Sequence, residues 1–186
     1  MPLEAIRSWF AAYPPDAPRV IEDLPFRLLG DIVKAQAANR GGETAYICVM
    51  PNGMNGRLTY AEADQLSDAF AAWLREEAKV QPGARVAIQI PNGLSYPVVA
   101  FGTFKAGCIL VNVNPLYTAE ETARLLADAQ PEVIVALDLF AAKLAPALAA
   151  VPVPHVVLAR AAELFPIVSR GVIGFVQRYL KREVPK

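Results

Sequence analysis

The single histidine of the chain, His155, is the side chain best suited by type to acid–base chemistry. An imidazole titrates near neutral pH and acts as a general base when a substrate proton lies within hydrogen-bond reach. His155 follows Pro152 and Pro154 at the start of a predicted strand, and no carboxylate or nucleophile lies near it in the sequence. We therefore favour a structural role for this residue over a catalytic one.

Two asparagines, Asn112 and Asn114, lie at the end of an apolar run and before Pro115. Open α/β sheets bind ligands at the carboxyl ends of their strands, so both amides are candidates for contact with a substrate or a neighbouring subdomain. Asparagine also bonds to nearby backbone in turns. Turn formation explains both residues by itself, and we favour that interpretation.

The charged side chains do not form a catalytic pair. Lys105 lies in the last turn of a predicted helix, where a cation complements the helix dipole, and nothing near it suggests a Schiff base. Glu120 precedes Arg124 at the spacing of a surface ion pair, Glu121 is placed to cap a helix, and Asp128 is expected to face solvent. We assign no catalytic, cofactor-binding or metal-ligating residue.

The densest glycine cluster, residues 51–56, is the segment nearest in composition to a phosphate-binding loop. It has no lysine or hydroxyl residue placed for a phosphate and it separates two strand-like runs, so a hairpin turn is predicted. The two cysteines, Cys48 and Cys108, lie in apolar runs and are expected to be buried free thiols in a reducing cytoplasm. The sequence shows no partners that would complete a metal site with them.

The segment from Lys105 to Glu121 predicts the helices and the strand that position the candidate residues within it. Gly107 follows a helix, residues 108–113 form an apolar run of strand length, and Pro115 forces a turn. Thr118 and Glu121 then have capping-box spacing at the start of another helix. This order is an α-β-α crossover of a parallel sheet.

Alternating elements of this kind predict an α/β fold: a doubly wound, mainly parallel sheet with helices on both faces, preceded by a proline-rich arm and a small hairpin. We divide the chain into an extended arm (residues 1–25), the α/β unit (residues 26–160), and a linker with a basic amphipathic helix (residues 161–186). The predicted helices cover residues 26–38, a segment after Thr59, and residues 94–106, 119–130, 140–149 and 171–182; the predicted strands cover residues 44–50, 57–59, 85–90, 109–113, 132–137 and 155–159.

Helical periodicity predicts which side chains face the core. In the first helix these are Leu28, Leu29, Ile32 and Val33. In the helix after Thr59 they are Leu66, Phe70, Trp73 and Leu74, opposite the acidic Asp64 and Asp68.

Composition excludes several classes of protein. The chain has 186 residues, 54% of them hydrophobic, which suits one substantial core with strands covered on both faces. A formal charge of zero argues against a nucleic-acid-binding protein. The uncharged stretch 86–104 contains turn residues and is predicted to be a strand, turn and helix rather than a membrane span, and the first residues do not resemble a secretory signal.

Basic residues concentrate at the carboxyl end: residues 170–186 carry five basic residues and one acidic, a charge of +4. Arg178, Lys181 and Arg182 lie beside Val176, Tyr179 and Leu180 in the predicted helix 171–182, which suits contact with an anionic membrane surface. The alternative is a helix that packs on further protein and leaves its basic side in water. The sequence leaves both readings open.

Several segments together resemble the N-terminal subdomain of the acyl-activating, adenylate-forming enzymes, and among them bacterial long-chain fatty acid–CoA ligases. They are VNVNPLYT, LTYAEADQLSDAFAAWL, GARVAIQIPN, FKAG and the ending VQRYLKREVPK. The resemblance spans about residues 13–186, and such enzymes have a basic residue at the position of Lys105.

The resemblance implies a cytoplasmic enzyme, peripheral at the inner membrane if the basic helix binds lipid. Complete family enzymes use ATP, magnesium and coenzyme A to convert a long-chain fatty acid to its thioester through an acyl-adenylate. Their phosphate-binding loop has no counterpart here, so we expect an incomplete N-terminal subdomain without activity of its own, whose partner is the remainder of the ligase or a second copy.

Two other functions stay open at this stage. One is a stand-alone interaction module derived from such an enzyme. The other, less favoured, is a small flavodoxin-like nucleotide binder, although the turns after the predicted strands lack a phosphate-cradling glycine pattern.

Overall fold

In a computed structural model of the protein, residues 8–18 and 24–180 form two β-sheets and six α-helices. Residues 1–7 and 19–23 of the predicted arm, and Lys181 and Arg182 of the predicted basic helix, lie outside the described residues. The strands are β1 (Thr44–Val49), β2 (Asn55–Thr59), β3 (Arg85–Gln89), β4 (Ile109–Asn112), β5 (Val133–Leu137) and β6 (His155–Ala159). The α-helices are α1 (Leu29–Arg40), α2 (Tyr60–Glu76), α3 (Ser95–Lys105), α4 (Ala119–Ala129), α5 (Ala141–Ala150) and α6 (Ile167–Phe175), followed by a π-helical turn at Val176–Leu180.

The main sheet has four parallel strands in the order β4-β3-β5-β6. From β3 the chain first adds β4 on one side, then returns through α4 to add β5 on the other side of β3. This reversal of direction is what makes a sheet doubly wound, and its carboxyl edge at the reversal is where such sheets bind ligands. The predicted fold class is confirmed.

Side chains of the two central strands alternate between two apolar layers. Val86 and Ile88 pack with α2 and α3, whereas Ala87 and Ile134 pack with Leu126 of α4 and with α5. Val86, Ala87 and Ile134 are completely inaccessible to solvent. Helices therefore cover both faces, which explains the nearly continuous apolar sequence of these strands.

The predicted hairpin is also confirmed. β1 and β2 are antiparallel, and the Met50 N–H donates to the Met54 carbonyl at 2.8 Å across the turn. Gly53 adopts φ +83°, a left-handed conformation that glycine tolerates without strain. The glycine cluster is thus a turn; Cys48 on β1 is only half-buried, whereas Cys108 is buried, and both thiols are free.

Two helix predictions need correction. α1 begins at Leu29 and not at residue 26, and of its predicted apolar face only Val33 is buried. Leu28, Leu29 and Ile32 are exposed, because α1 packs through the side that carries Gly30, where an added Cβ would lie 3.0 Å from Cγ of Lys105.

The last helix starts at Ile167, four residues before the predicted residue 171, directly after Pro166. Its buried side chain is Ile173, which joins Leu58 of the hairpin and Phe165 in a third apolar cluster. Val172, predicted on the apolar face, is 43% exposed, because the helix packs on the hairpin along one narrow line.

Lys105 does more than complement a helix dipole. Its Nζ lies 2.6 Å from Oδ1 of Asp64 and 2.7 Å from Oδ1 of Asp68, and it also donates to the Asp64 carbonyl at 3.0 Å. Gly102 allows α3 to approach α2 this closely, since a Cβ there would lie 2.8 Å from the Ser67 carbonyl oxygen. Asp64, predicted opposite the apolar stripe of α2, is therefore partly buried against α3, with its side chain 22% exposed.

Removing the Lys105 ammonium should loosen the contact between α2 and α3. We expect Lys105→Met to lower the free energy of unfolding by roughly 2 kcal/mol, the range for hydrogen bonds to charged groups. Asp64→Asn should cost more than Asp68→Asn, because the side chain of Asp64 is 22% exposed and that of Asp68 66%. Urea unfolding measures these differences, with exposed Lys143→Met as the matched control; equal losses for Lys105→Met and Lys143→Met would contradict the assignment.

The predicted capping box at α4 is formed as expected. The Thr118 N–H donates to Oε2 of Glu121 at 2.9 Å, and the Glu121 N–H donates to Oγ1 of Thr118 at 3.2 Å. The hydrogen bonds from the Thr118 backbone and side chain lower the pKa of Glu121 below its usual value.

Because the pKa of Glu121 is lowered, the contribution of this cap to stability depends on pH. The stability that ionised Glu121 contributes is present above its ordinary pKa and is lost as pH falls through the lowered value. Glu121→Ala should therefore destabilise the protein at pH 7, and the loss should shrink at acid pH. Glu120→Ala, one residue away and outside the cap, is the control in thermal unfolding at pH 3 to 7; identical losses in the two variants would count against this role.

Candidate functional site at the carboxyl edge of the parallel sheet

The carboxyl ends of β3, β4, β5 and β6 lie along one edge of the sheet, because all four strands are parallel. The segments that follow these strands surround two cavities of different chemistry. We call them the amide cavity, which contains Tyr96, Asn112 and Asn114, and the arginine cavity, which contains Asp138, Arg160, Arg170 and Arg178.

The amide cavity has a volume of about 600 Å³ and lies beside the ends of β3 and β4. The Tyr96 hydroxyl donates to Oδ1 of Asn112 at 2.9 Å, which ties the end of β4 to α3. Asn114 Oδ1 accepts from the Leu116 N–H at 3.0 Å, so the turn interpretation of Asn114 is confirmed. The lining of the amide cavity has aromatic, aliphatic and amide side chains and no charged ones among the described residues.

The arginine cavity has a volume of about 480 Å³ and lies beside the ends of β5 and β6. Asp138 directly follows β5 and Arg160 directly follows β6, at positions made adjacent by the pairing of Leu137 with Ala159. α6 and the turn after it bring Arg170 and Arg178 to the same cavity. The sequence analysis did not single out Asp138, Arg160 or Arg170, although a polar residue directly after a buried strand is a detectable signal.

Asp138 lies in an unusual environment for a carboxyl group. Its Oδ1 is buried and has no hydrogen-bond partner among the described residues. Burial raises the pKa of Asp138, and a backbone hydrogen bond from Leu139 and the charges of Arg160 and Arg178 oppose that rise only in part. The protein therefore holds this carboxyl group at a cost when it is ionised.

Gln89, the last residue of β3, is a second buried polar group at this edge. It is 3% exposed, and its Nε2 donates to Oγ1 of Thr122 at 3.4 Å. Its Oε1 has no partner within residues 8–18 and 24–180. The hydrogen bond from Gln89 to Thr122 joins α4 to β3.

The other candidates lie away from both cavities. His155 is at the amino end of β6, where its ring meets Trp73 edge-on at a centroid distance of 6.4 Å. Glu120 and Asp128 are exposed on α4, and Glu121 caps that helix. Within the described part of the chain, no group of three or more histidine, cysteine or acidic side chains is placed to hold a metal ion.

The fold is that of the N-terminal region of acyl-activating enzymes. A benzoate CoA ligase from Burkholderia xenovorans LB400 superposes with a TM-score of 0.64 at 21% identity, over 77% of this chain and 28% of that one. At this identity the likeness establishes the fold and nothing finer.

Sequence comparison adds the family. The AMP-binding enzyme family matches residues 33–171, and the chain belongs to that family. It is 35% identical over 180 residues to long-chain-fatty-acid–CoA ligases of Escherichia coli and of Haemophilus influenzae, which covers 97% of this chain. The chain spans 31% of the length of these curated relatives.

The electrostatics of Asp138 give a prediction. A carboxyl group whose pKa is raised on folding lowers stability once pH rises above its ordinary value of 3.8, and the penalty is complete above the raised value. Asp138→Asn should therefore raise the melting temperature at pH 7 and have no such effect at pH 3. Differential scanning calorimetry tests this, with exposed Asp128→Asn as control; a destabilised Asp138→Asn at pH 7 would refute the assignment.

Proposed function

We propose that this chain is the N-terminal part of a long-chain fatty acid–CoA ligase. The proposal rests on one observation above all: 35% identity extends over 97% of the chain to enzymes of that printed name. The complete reaction joins a fatty acid to coenzyme A with conversion of ATP to AMP and pyrophosphate. The enzyme acts in the cytoplasm.

Within that enzyme the residues described here supply a scaffold and one flank of the substrate cleft. The amide cavity supports this role, since an uncharged lining of aromatic and aliphatic side chains suits an apolar substrate. Neither cavity contains a nucleophile hydrogen-bonded to a base, the minimum for covalent catalysis. Groups that bind ATP, magnesium and coenzyme A are supplied by other parts of the ligase.

Exposed apolar surface marks where those other parts pack. Ile47 and Val49 of β1 are 67% and 65% exposed beside a groove of about 720 Å³ between the hairpin and α3. The outer edges of the sheet, β4 and β6, are unpaired among the described residues, and they carry the exposed Ile109, Val156 and Leu158. The remainder of the ligase, or a second copy of the chain, would cover them.

Contact of residues 171–182 with a membrane surface stays a prediction. Ile167 and Val168 of α6 are more than three quarters exposed, which gives the helix apolar side chains free for an interface. No helix within the described residues has the length and apolar character needed to cross a bilayer.

A chimera tests the proposed function. Residues 1–186 would replace the matching segment of the Escherichia coli ligase, and palmitoyl-CoA formation would be measured. We expect activity within about tenfold of a chimera that carries the Haemophilus influenzae segment, because a matching segment keeps the cleft in place. A segment that misplaced the cleft by about 1 Å would instead lower activity roughly 10²-fold. A folded, soluble chimera without activity, beside an active Haemophilus influenzae control, would overturn the proposal.

The isolated chain tests the scaffold role. Purified 186-residue polypeptide should show no ATP–pyrophosphate exchange with palmitate. Exchange that survives further purification would place catalytic groups within these residues and refute this part of the proposal.

A further inference from the structure

Three arginines from separate segments meet at one cavity. Arg160 follows β6, Arg170 lies in α6, and Arg178 lies in the turn after it, and all three line the arginine cavity beside Asp138. A volume of about 480 Å³ is within the range of small-molecule sites, which is roughly 300–1,000 Å³.

The positive charge of this cavity is largely unneutralised. None of the three arginines forms an ion pair with a carboxylate in the described part of the chain. The Arg170 guanidinium donates to the Glu163 backbone carbonyl at 3.4 Å, and the Glu163 carboxylate accepts instead from the Arg160 backbone N–H at 3.3 Å. Against three guanidinium groups, the cavity lining has one acidic side chain, Asp138.

Apolar side chains also line the arginine cavity. They belong to the buried Ala162 and the more exposed Ile167 and Phe175, and Gln177 adds one neutral polar group. Ala162 and the adjoining Ile173 and Phe165 are buried against the hairpin, which holds α6 and its arginines in place. Cationic and apolar groups therefore face one partly open cavity.

We propose that the arginine cavity binds a small amphiphilic anion, a phosphate or carboxylate headgroup joined to an apolar chain. Guanidinium groups bind both headgroups through paired N–H donors. The apolar wall beside them accepts the chain. The amide cavity has no charged lining and therefore offers no opposite charge to such a headgroup.

This inference does not depend on the proposed function. It concerns cavity residues and not the acyl-activating reaction, so an inactive chimera would leave it standing. Conversely, an empty arginine cavity would leave the ligase proposal intact.

Calorimetric titration of the 186-residue chain with octyl phosphate and octanoate, below their micelle concentrations, tests the proposal and distinguishes the headgroups. Inorganic phosphate and octanol supply the headgroup and the chain separately. We expect at least one anionic amphiphile to bind more tightly than either separate part, and to weaken as salt increases.

Variants that remove a positive or a negative charge from the cavity test where the anion binds. Arg160→Gln and Arg178→Gln should each weaken binding about fivefold, a moderate loss because both side chains are exposed and partly screened. Asp138→Asn should tighten binding, since it removes a like charge from the cavity. Arg124→Gln, on the exposed side of α4, should change nothing.

Circular dichroism of each variant separates loss of binding from loss of fold. Failure of the folded wild-type chain to bind either amphiphile would overturn the proposal. So would equal weakening by Arg124→Gln and Arg178→Gln. Flotation with anionic phosphatidylserine vesicles, without binding of the soluble amphiphiles, would assign the arginines to a membrane surface and also refute it.

Discussion

The structure depends on the burial of β3 and β5 on both of their faces. Val86, Ala87, Val133 and Ile134 lose all contact with solvent, so each strand must be apolar at successive positions and each face needs its own layer of helices. Parallel strands also require long crossovers, which the α-helices provide. Polar residues are thereby excluded from the strands and collect where the strands end.

That exclusion explains why the candidate site lies at one edge. Asn112 ends β4, and Asp138 and Arg160 directly follow β5 and β6, all at the carboxyl edge of the same sheet. Their chemistry differs from one side of the sheet to the other: amides and tyrosine near β4, guanidinium groups and a carboxyl group near β6. A single doubly wound sheet thus presents a neutral and a cationic cavity a few strands apart.

Outside the sheet, polar contacts set the relative positions of the helices. Lys105 joins α3 to two acidic residues of α2, and Gly102 permits the close approach that this requires. Ile173 and Phe165 join α6 to the hairpin through apolar contact. The ion pairs of Lys105 fix the geometry between α2 and α3. The apolar contact of α6 with the hairpin, by contrast, leaves much of α6 exposed.

Local sequence patterns specify the sheet, its helices and their order along the chain. Alternation of strands and helices, the glycine after α3 and the threonine–glutamate cap of α4 are local signals, and each is encoded by residues close together in the chain. The sequence did not reveal which side of α1 is buried, because Leu28 and Ile32 satisfy helical periodicity yet face solvent. Nor did it reveal the ion pairs of Lys105 or the arginine cavity. Lys105 is separated from Asp64 by 41 residues and from Asp68 by 37, and Asp138 is separated from Arg178 by 40. Only the tertiary structure brings them together, because such contacts depend on how whole helices pack and not on the residues beside them in the chain.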